Sequence, residues 1–147
     1  MKKPILLTSV FAALTVVSGL VLFAQPATSP KPEGGAESRL AVVWTSGDPE
    51  VAHRVCLMYT HAAQTQKWFD HVTLIVWGPS ARLLAADKDL QAKVKTMMKD
   101  GVQVQACVVC ADSYGVSDRL RELGLEVKGM GPPLTDMLKQ GWNVLTF

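Results

Sequence analysis

Cysteine is scarce in this chain, with three among 147 residues. Three thiols cannot make the multi-disulfide framework that staples very small secreted domains, so the fold has to rest on a hydrophobic core. A chain of 147 residues is long enough for one domain with such a core. An excess of one charge is also lacking: 15 Lys+Arg stand against 13 Asp+Glu, a formal +2. So slight an imbalance builds no basic face and gives no reason to expect nucleic acid as a partner. Aromatics make up 7% and charged residues 19%, and no internal repeat is present. Hydrophobic residues reach 48%, with a mean hydropathy of +0.17.

The apolar residues are unevenly placed. Lys2 and Lys3 open the chain, and residues 5–24 follow without a single charge. A basic start and an apolar run form the pattern of a secretory signal or of an N-terminal membrane anchor. As a helix, this run is long enough to cross a hydrocarbon core of about 30 Å. Cleavage wants small residues at −3 and −1. Ending at Ala24 puts Leu22 at −3, and ending at Ala27 puts Gln25 there. Neither site is good, so a cleaved signal and an uncleaved anchor with its lysines inside both stay open. For a bacterial source, either one places the domain outside the cytoplasmic membrane, in the periplasm, secreted, or tethered to the inner membrane through residues 5–24. Residues 25–38 hold three Pro and two Gly without periodicity and read as an extended linker. The folded domain is expected at 39–147. Residues 1–30 contain two Lys and no acid, which accounts for the whole +2.

Within the domain, strand and helix signals alternate. Leu40–Thr45 is a nearly unbroken apolar run, as in a strand buried on both faces. Asp48 can cap a helix that begins at Pro49. Val51, Val55, Met58 or Tyr59, and Ala62 then recur at helical spacing to about Lys67. His71–Trp77 reads as a second strand, stopped by Gly78-Pro79, and Ser80 as the cap of a short helix to Ala86. Asp87–Lys99 continues helically, with Leu90, Val94, Met97 and Met98 inward. Val102–Cys107 alternates at period two like a third strand. Helical sequence from about Val109 is punctuated by Gly115 and resumes from Ser117 to Gly124. Leu125–Lys128 is a fourth strand, Pro132 or Pro133 begins a last helix to Gln140, and Trp142–Thr146 is a fifth strand. This succession predicts a three-layer α/β/α sandwich on a five-stranded, mainly parallel sheet, most simply in the 2-1-3-4-5 order of flavodoxin-like folds. In that order the first and third strands are neighbours. The loops Ser46–Pro49 and Cys107–Cys110 would then meet at the crevice where ligands bind.

Cys107-Val-Val-Cys110 places one thiol at a strand end and the other in the first turn of a helix. Unpaired N–H groups at a helix start favour a thiolate, so Cys107 is a candidate nucleophile and persulfide carrier. Cys110 can resolve an adduct on Cys107 by forming a disulfide. The plain alternative is a pair of small apolar residues or an inert disulfide. A zinc site would need Cys56 and His53 as additional ligands. Cys56 lies in an apolar stretch and reads as core, so no metal is expected. The Thr45–Asp48 loop is superficially like a flavodoxin phosphate loop. There, however, Asp48 would face the phosphate and Pro49 lacks an N–H, so no flavin, nucleotide or other cofactor is expected.

The sequence resembles the DsrE/DsrF-like family, small α/β proteins of sulfur metabolism that include sulfur-relay subunits. The resemblance runs from Ala41-Val-Val-Trp-Thr-Ser-Gly-Asp48 through Leu74-Ile-Val-Trp-Gly-Pro-Ser80 to Trp142-Asn-Val-Leu-Thr-Phe147. It is most informative at Cys107-Val-Val-Cys-Ala-Asp-Ser-Tyr-Gly-Val116. Relay members end the corresponding strand with one active cysteine and carry a Gly-Val pair eight residues later. Counting back from Gly115 reaches Cys107, so the resemblance implies a sulfur-accepting role for Cys107. Tyr114 stands where relay members carry Arg, and Cys110 is an addition to the single-cysteine pattern. The implied partners are a sulfur donor or acceptor protein or a small sulfur compound, with homo-oligomers common in the family. The export segment argues against a part in tRNA thiolation.

Two other readings use the same residues. A thiol-disulfide redox protein would work through Cys107 and Cys110, but thioredoxins carry C-x-x-C after an early strand, and Pro132-Pro133 here begins a helix. A non-catalytic oligomeric binding module would use Trp68-Phe69 and Trp142 at an interface, although core positions are the expectation for all four Trp. Tyr114 is expected to pack on the sheet. His53, His61 and His71 have no spacing that demands a metal.

Overall fold

A computed structural model describes residues 37–147. The expected export segment at 1–24, and all but the last two residues of the expected linker at 25–38, lie outside the described residues. Of those two, Ser38 is firmly held: its backbone N–H and its hydroxyl each donate to Asp70 Oδ2 at 2.9 Å.

Five strands form a single sheet: β1 (Arg39–Trp44), β2 (His71–Val76), β3 (Gln103–Cys107), β4 (Glu126–Lys128) and β5 (Asn143–Thr146). Every pair is parallel. The spatial order is β4-β3-β2-β1-β5. The α/β class expected from sequence is therefore present, while the 2-1-3-4-5 order is replaced. β1 lies between β2 and β5, and β2 separates it from β3. The order follows from the crossovers. Three successive right-handed connections step the chain from β1 to β4 in one direction, which lays their helices on one face. The last connection returns across the sheet to the far side of β1, and its helix covers the other face.

The first face carries α1 (Pro49–Val51), a π-helical stretch (Ala52–Cys56), α2 (Leu57–Thr65), α3 (Pro79–Ala86), α4 (Lys88–Lys99), α5 (Val108–Ser113) and α6 (Ser117–Glu122). Its core is built on Leu40, Val42, Trp44, Leu74, Val104 and Ala106, one side of the period-two strands. Among the described residues, the opposite face has only α7 (Gly131–Lys139), which meets Ala41, Val43 and Ile75 through Met130, Leu134 and Met137. One helix cannot roof five strands. The β3–β4 side of this face accordingly carries polar residues, Gln103, Gln105, Glu126 and Lys128, which explains the alternation in Val102–Cys107.

Several local expectations change. Asp48 caps α1 as expected, accepting from Glu50 N–H at 2.7 Å and Val51 N–H at 3.4 Å. The π turn that follows shifts the inward face, because wider hydrogen bonding rotates each later residue relative to a regular helix. Ala52, Cys56, Leu57, Thr60 and Ala63 are buried, whereas Val55 and Met58 are 42% and 58% exposed. Ser80 is not a cap. Gly78 takes the cap position, with Pro79 in the first turn, and Ser80 is buried within the helix. Trp68, expected in the core, is 54% exposed and packs on Tyr59 with ring centroids 5.7 Å apart. Trp142 and Trp77 are half-buried against the α7 side.

Candidate functional site

The two thiols sit at the carboxyl ends of the strands. Cys107 ends β3 on the α7 side of the sheet and is 5% exposed, among Ile75, Trp77 and Met130. Cys110 stands on the first turn of α5, half-buried against the same cluster. Both are free thiols, and Cys110 packs against the apolar cluster that contains Cys107. The structure therefore brings the two sequence-predicted residues together.

It does not bring them to the crevice expected between the loops after β1 and β3. With β2 inserted between those strands, the neighbouring loop is Trp77-Gly78-Pro79, whose Gly78 N–H acts on the Cys110 thiol. Cys107 takes the cap position of α5, where its side chain makes no capping bond. Gly78 has φ 69 and ψ −138, a conformation open essentially to glycine alone. Ser80 fixes this loop by donating from Oγ to the Trp44 carbonyl and accepting the Trp77 N–H at 3.1 Å.

Burial is the main cause that pushes the Cys110 thiol above its ordinary value. The Gly78 N–H pulls it back, and the hydrogen bond and charge of Cys107 raise it further. Cys110 thus keeps its proton at neutral pH. Lys128 completes the surroundings. It pairs with Cys107 across the β3–β4 ladder, so both side chains leave the same face. Its ammonium donates to Glu126 Oε1 at 2.8 Å, and Gln105 Nε2 donates to Glu126 Oε2 at 2.9 Å. These bonds, Lys128 first, hold the Glu126 carboxyl below its usual range.

Sequence reasoning missed Gly78 and Lys128. Gly78 registers only as a strand stop, and Lys128 acquires meaning only from the register against β3. Cys56 belongs to the large core on the other face, away from both thiols, and burial pushes it to about 12. Tyr114 is not packed on the sheet; it is partly exposed beneath the Arg82 guanidinium, 5.3 Å from the ring centre. His61 is held between Asp100 at 2.6 Å and Lys93 at 2.7 Å. A cleft of about 410 Å³ lined by Gln64, Thr65, Lys67, Phe69, Asp70 and Asp100 opens near the starts of β2 and β3, at the opposite end of the strands from the thiols. Among the described residues, no cluster of three or more His, Cys, Asp or Glu is placed to hold a metal ion, and no helix is long and apolar enough to cross a membrane.

A parallel five-stranded α/β domain with a thiol ending its third strand defines the class of protein. Residues 38–147 match the model of the DsrE/DsrF-like family, and the chain belongs to that family. Membership suggests sulfur relay in general terms, and with it partner proteins that give or take sulfur. A conserved protein of unknown function from Bacteroides thetaiotaomicron has a similar structure, with TM-score 0.72 and 31% identity over 75% of this chain and 95% of that one. The YchN protein of E. coli shares the fold, with TM-score 0.59 and 18% identity over 75% of this chain and 99% of that one. No curated protein matches the sequence.

Proposed function

We propose that this protein accepts sulfane sulfur on Cys107 as a persulfide and passes it on, outside the cytoplasmic membrane. The observation that carries the reading is the packing of Cys110 against the cluster around Cys107 at the end of β3, in a member of a sulfur-relay family. The Cys107 thiolate attacks the sulfane sulfur of a donor. A new S–S bond forms on Cys107 as the donor's S–S bond breaks, and the electron pair leaves with the donor fragment. Cys110 gives two outcomes. Attack on the outer sulfur moves the sulfane atom to Cys110. Attack on the inner sulfur makes a Cys107–Cys110 disulfide and releases hydrosulfide.

Donor and acceptor are a protein or a small sulfur compound, and self-association into a homo-oligomer is part of the proposal. The apolar segment at 5–24 supports export or tethering, which fractionation of cells carrying the full chain will read. The central test is the intact mass of reduced protein after exposure to polysulfide. A gain of about 32 Da that survives Cys110→Ser and vanishes in Cys107→Ser supports the reading. No gain on the Cys110→Ser protein rejects it. Disulfide exchange through Cys107 and Cys110 without sulfur uptake favours a thiol-disulfide redox protein instead.

A further inference from the structure

Around Cys107, the side chains of Ile75, Trp77, Met130 and Cys110 carry no formal charge at neutral pH. The register adds an ion pair from the remaining side, its cation directly opposite Cys107 and its carboxylate two residues further back along β4. Lys128 is the cross-strand partner of Cys107 at the end of β4. Paired residues in neighbouring strands lie about 5 Å apart and project to the same face. Two residues back, the same register sets Gln105 against Glu126. Gln105 is only 8% exposed, and its Nε2 bond anchors the Glu126 carboxylate, which in turn holds the Lys128 ammonium. Glu126 engages one of the three N–H donors of that ammonium through this bond, while the Lys128 side chain stays partly open to solvent. An anion approaching Cys107 from the open β4 side meets a held cation; a neutral molecule of the same size gains nothing from it.

We infer that Lys128 is the specificity-determining residue of this site, drawing anionic sulfane-sulfur donors onto Cys107 in preference to neutral ones. The inference rests on Cys107 as the sulfur acceptor. Lys128 takes no part in bond making. It binds the negative end of the donor, and the electron pair released when the donor's S–S bond breaks departs on that same anionic fragment, as sulfite does from thiosulfate.

Iodoacetate and iodoacetamide differ in charge but little in size, so their rate ratio at one thiol cancels the thiolate fraction and reports the local field. The full chain is alkylated in a Cys110→Ser background, with modification of Cys107 followed by mass. Sulfur uptake from thiosulfate is followed in parallel. The iodoacetate-to-iodoacetamide ratio is expected to fall about fivefold in Lys128→Met, the scale of one unit charge acting across about 6 Å of well-hydrated surroundings. Lys128→Arg is expected to retain the ratio, and added salt to lower it in the Lys128 protein. Lys128→Gln gives the same reading if the methionine variant folds poorly. An unchanged ratio overturns the role of Lys128 and leaves Cys107 as acceptor intact. A lowered ratio with normal thiosulfate uptake also overturns it, because the charge then selects no donor. Absence of sulfur uptake from both thiosulfate and polysulfide in the Lys128 protein instead rejects the acceptor reading itself.

Discussion

The backbone N–H of Gly78, in the loop after β2, lies near enough to the Cys110 sulfur on the first turn of α5 to hold its thiol down against the effect of burial. The contact depends on a backbone conformation that side chains disfavour, since Gly78 holds φ 69 and ψ −138. A Cβ added at this position would meet nothing within 4 Å, so the cost of a side chain comes from the backbone alone. Gly78→Ala is expected to destabilise the fold by about 1–3 kcal/mol, read by denaturant unfolding. If the loop relaxes, the donor to Cys110 is lost and its thiol rises further, which a pH series of alkylation at Cys110 will show.

Ser80 is the second support of the same loop. Its hydroxyl is buried and joins the end of β1 to the start of α3 through the Trp44 carbonyl and the Trp77 N–H. Ser80→Ala removes these bonds and the hydroxyl's further one to the Trp77 carbonyl at 3.0 Å. The Trp77 N–H retains the Trp44 carbonyl at 2.9 Å, so no backbone donor is orphaned. A loss of about 1 kcal/mol in unfolding free energy is expected, with faster alkylation of Cys110 as the loop loosens.

Much of this architecture was legible in the sequence, for an identifiable reason. Buried strands such as Leu40–Thr45 and stop signals such as Gly78-Pro79 are local, so element type and succession could be read directly. Strand order is not local. It depends on which way each crossover steps, and nothing in the sequence around Cys107 showed that β2 would lie between β1 and β3. The thiol pair was legible as a pair, because three residues of spacing fix both cysteines to one strand-to-helix junction. Its neighbours were not: Gly78 and Lys128 reach the thiols only through the β2-β3-β4 order. The face of the first helix was misread for a local reason with a non-local cause. The π turn at Ala52–Cys56 breaks the 3.6-residue period, and spacing arguments then assign Val55 to the wrong side and leave Met58 and Tyr59 as alternatives, of which Tyr59 packs on the core.

Cys56 sets an alkaline limit on stability. Burial pushes its thiol from 9.0 to about 12, with the Thr60 hydrogen bond acting in the opposite sense. Between those pH values the unfolded chain has released this proton and the folded chain still binds it. Unfolding then releases a proton, so stability falls as pH rises through this window and is fully present below it. Cys56→Ala leaves a small cavity and is expected to cost about 1 kcal/mol at neutral pH. The difference from wild type should shrink above pH 9 as the thiol's contribution disappears. Urea unfolding of both proteins at neutral and alkaline pH measures this directly, and a constant difference would reject the assignment.

Lys67 carries φ 55, the left-handed region, just beyond the end of α2. The turn it makes closes the helix: its N–H donates to the Gln64 carbonyl at 3.2 Å and the Trp68 N–H to the Ala63 carbonyl at 3.0 Å. A side chain in this region costs about 1–2 kcal/mol, and glycine gives back about 0.5–1 kcal/mol of that through the greater freedom of the unfolded chain. Lys67→Gly is therefore expected to stabilise the domain by roughly 0.5 kcal/mol, a rise of about 2 °C in Tm. Lys67→Val should act in the opposite direction and more strongly, because a β-branched side chain tolerates positive φ least. Thermal unfolding of the two variants beside wild type decides it: a glycine variant less stable than the lysine protein would mean that contacts of the Lys67 side chain, and not backbone strain, govern this turn.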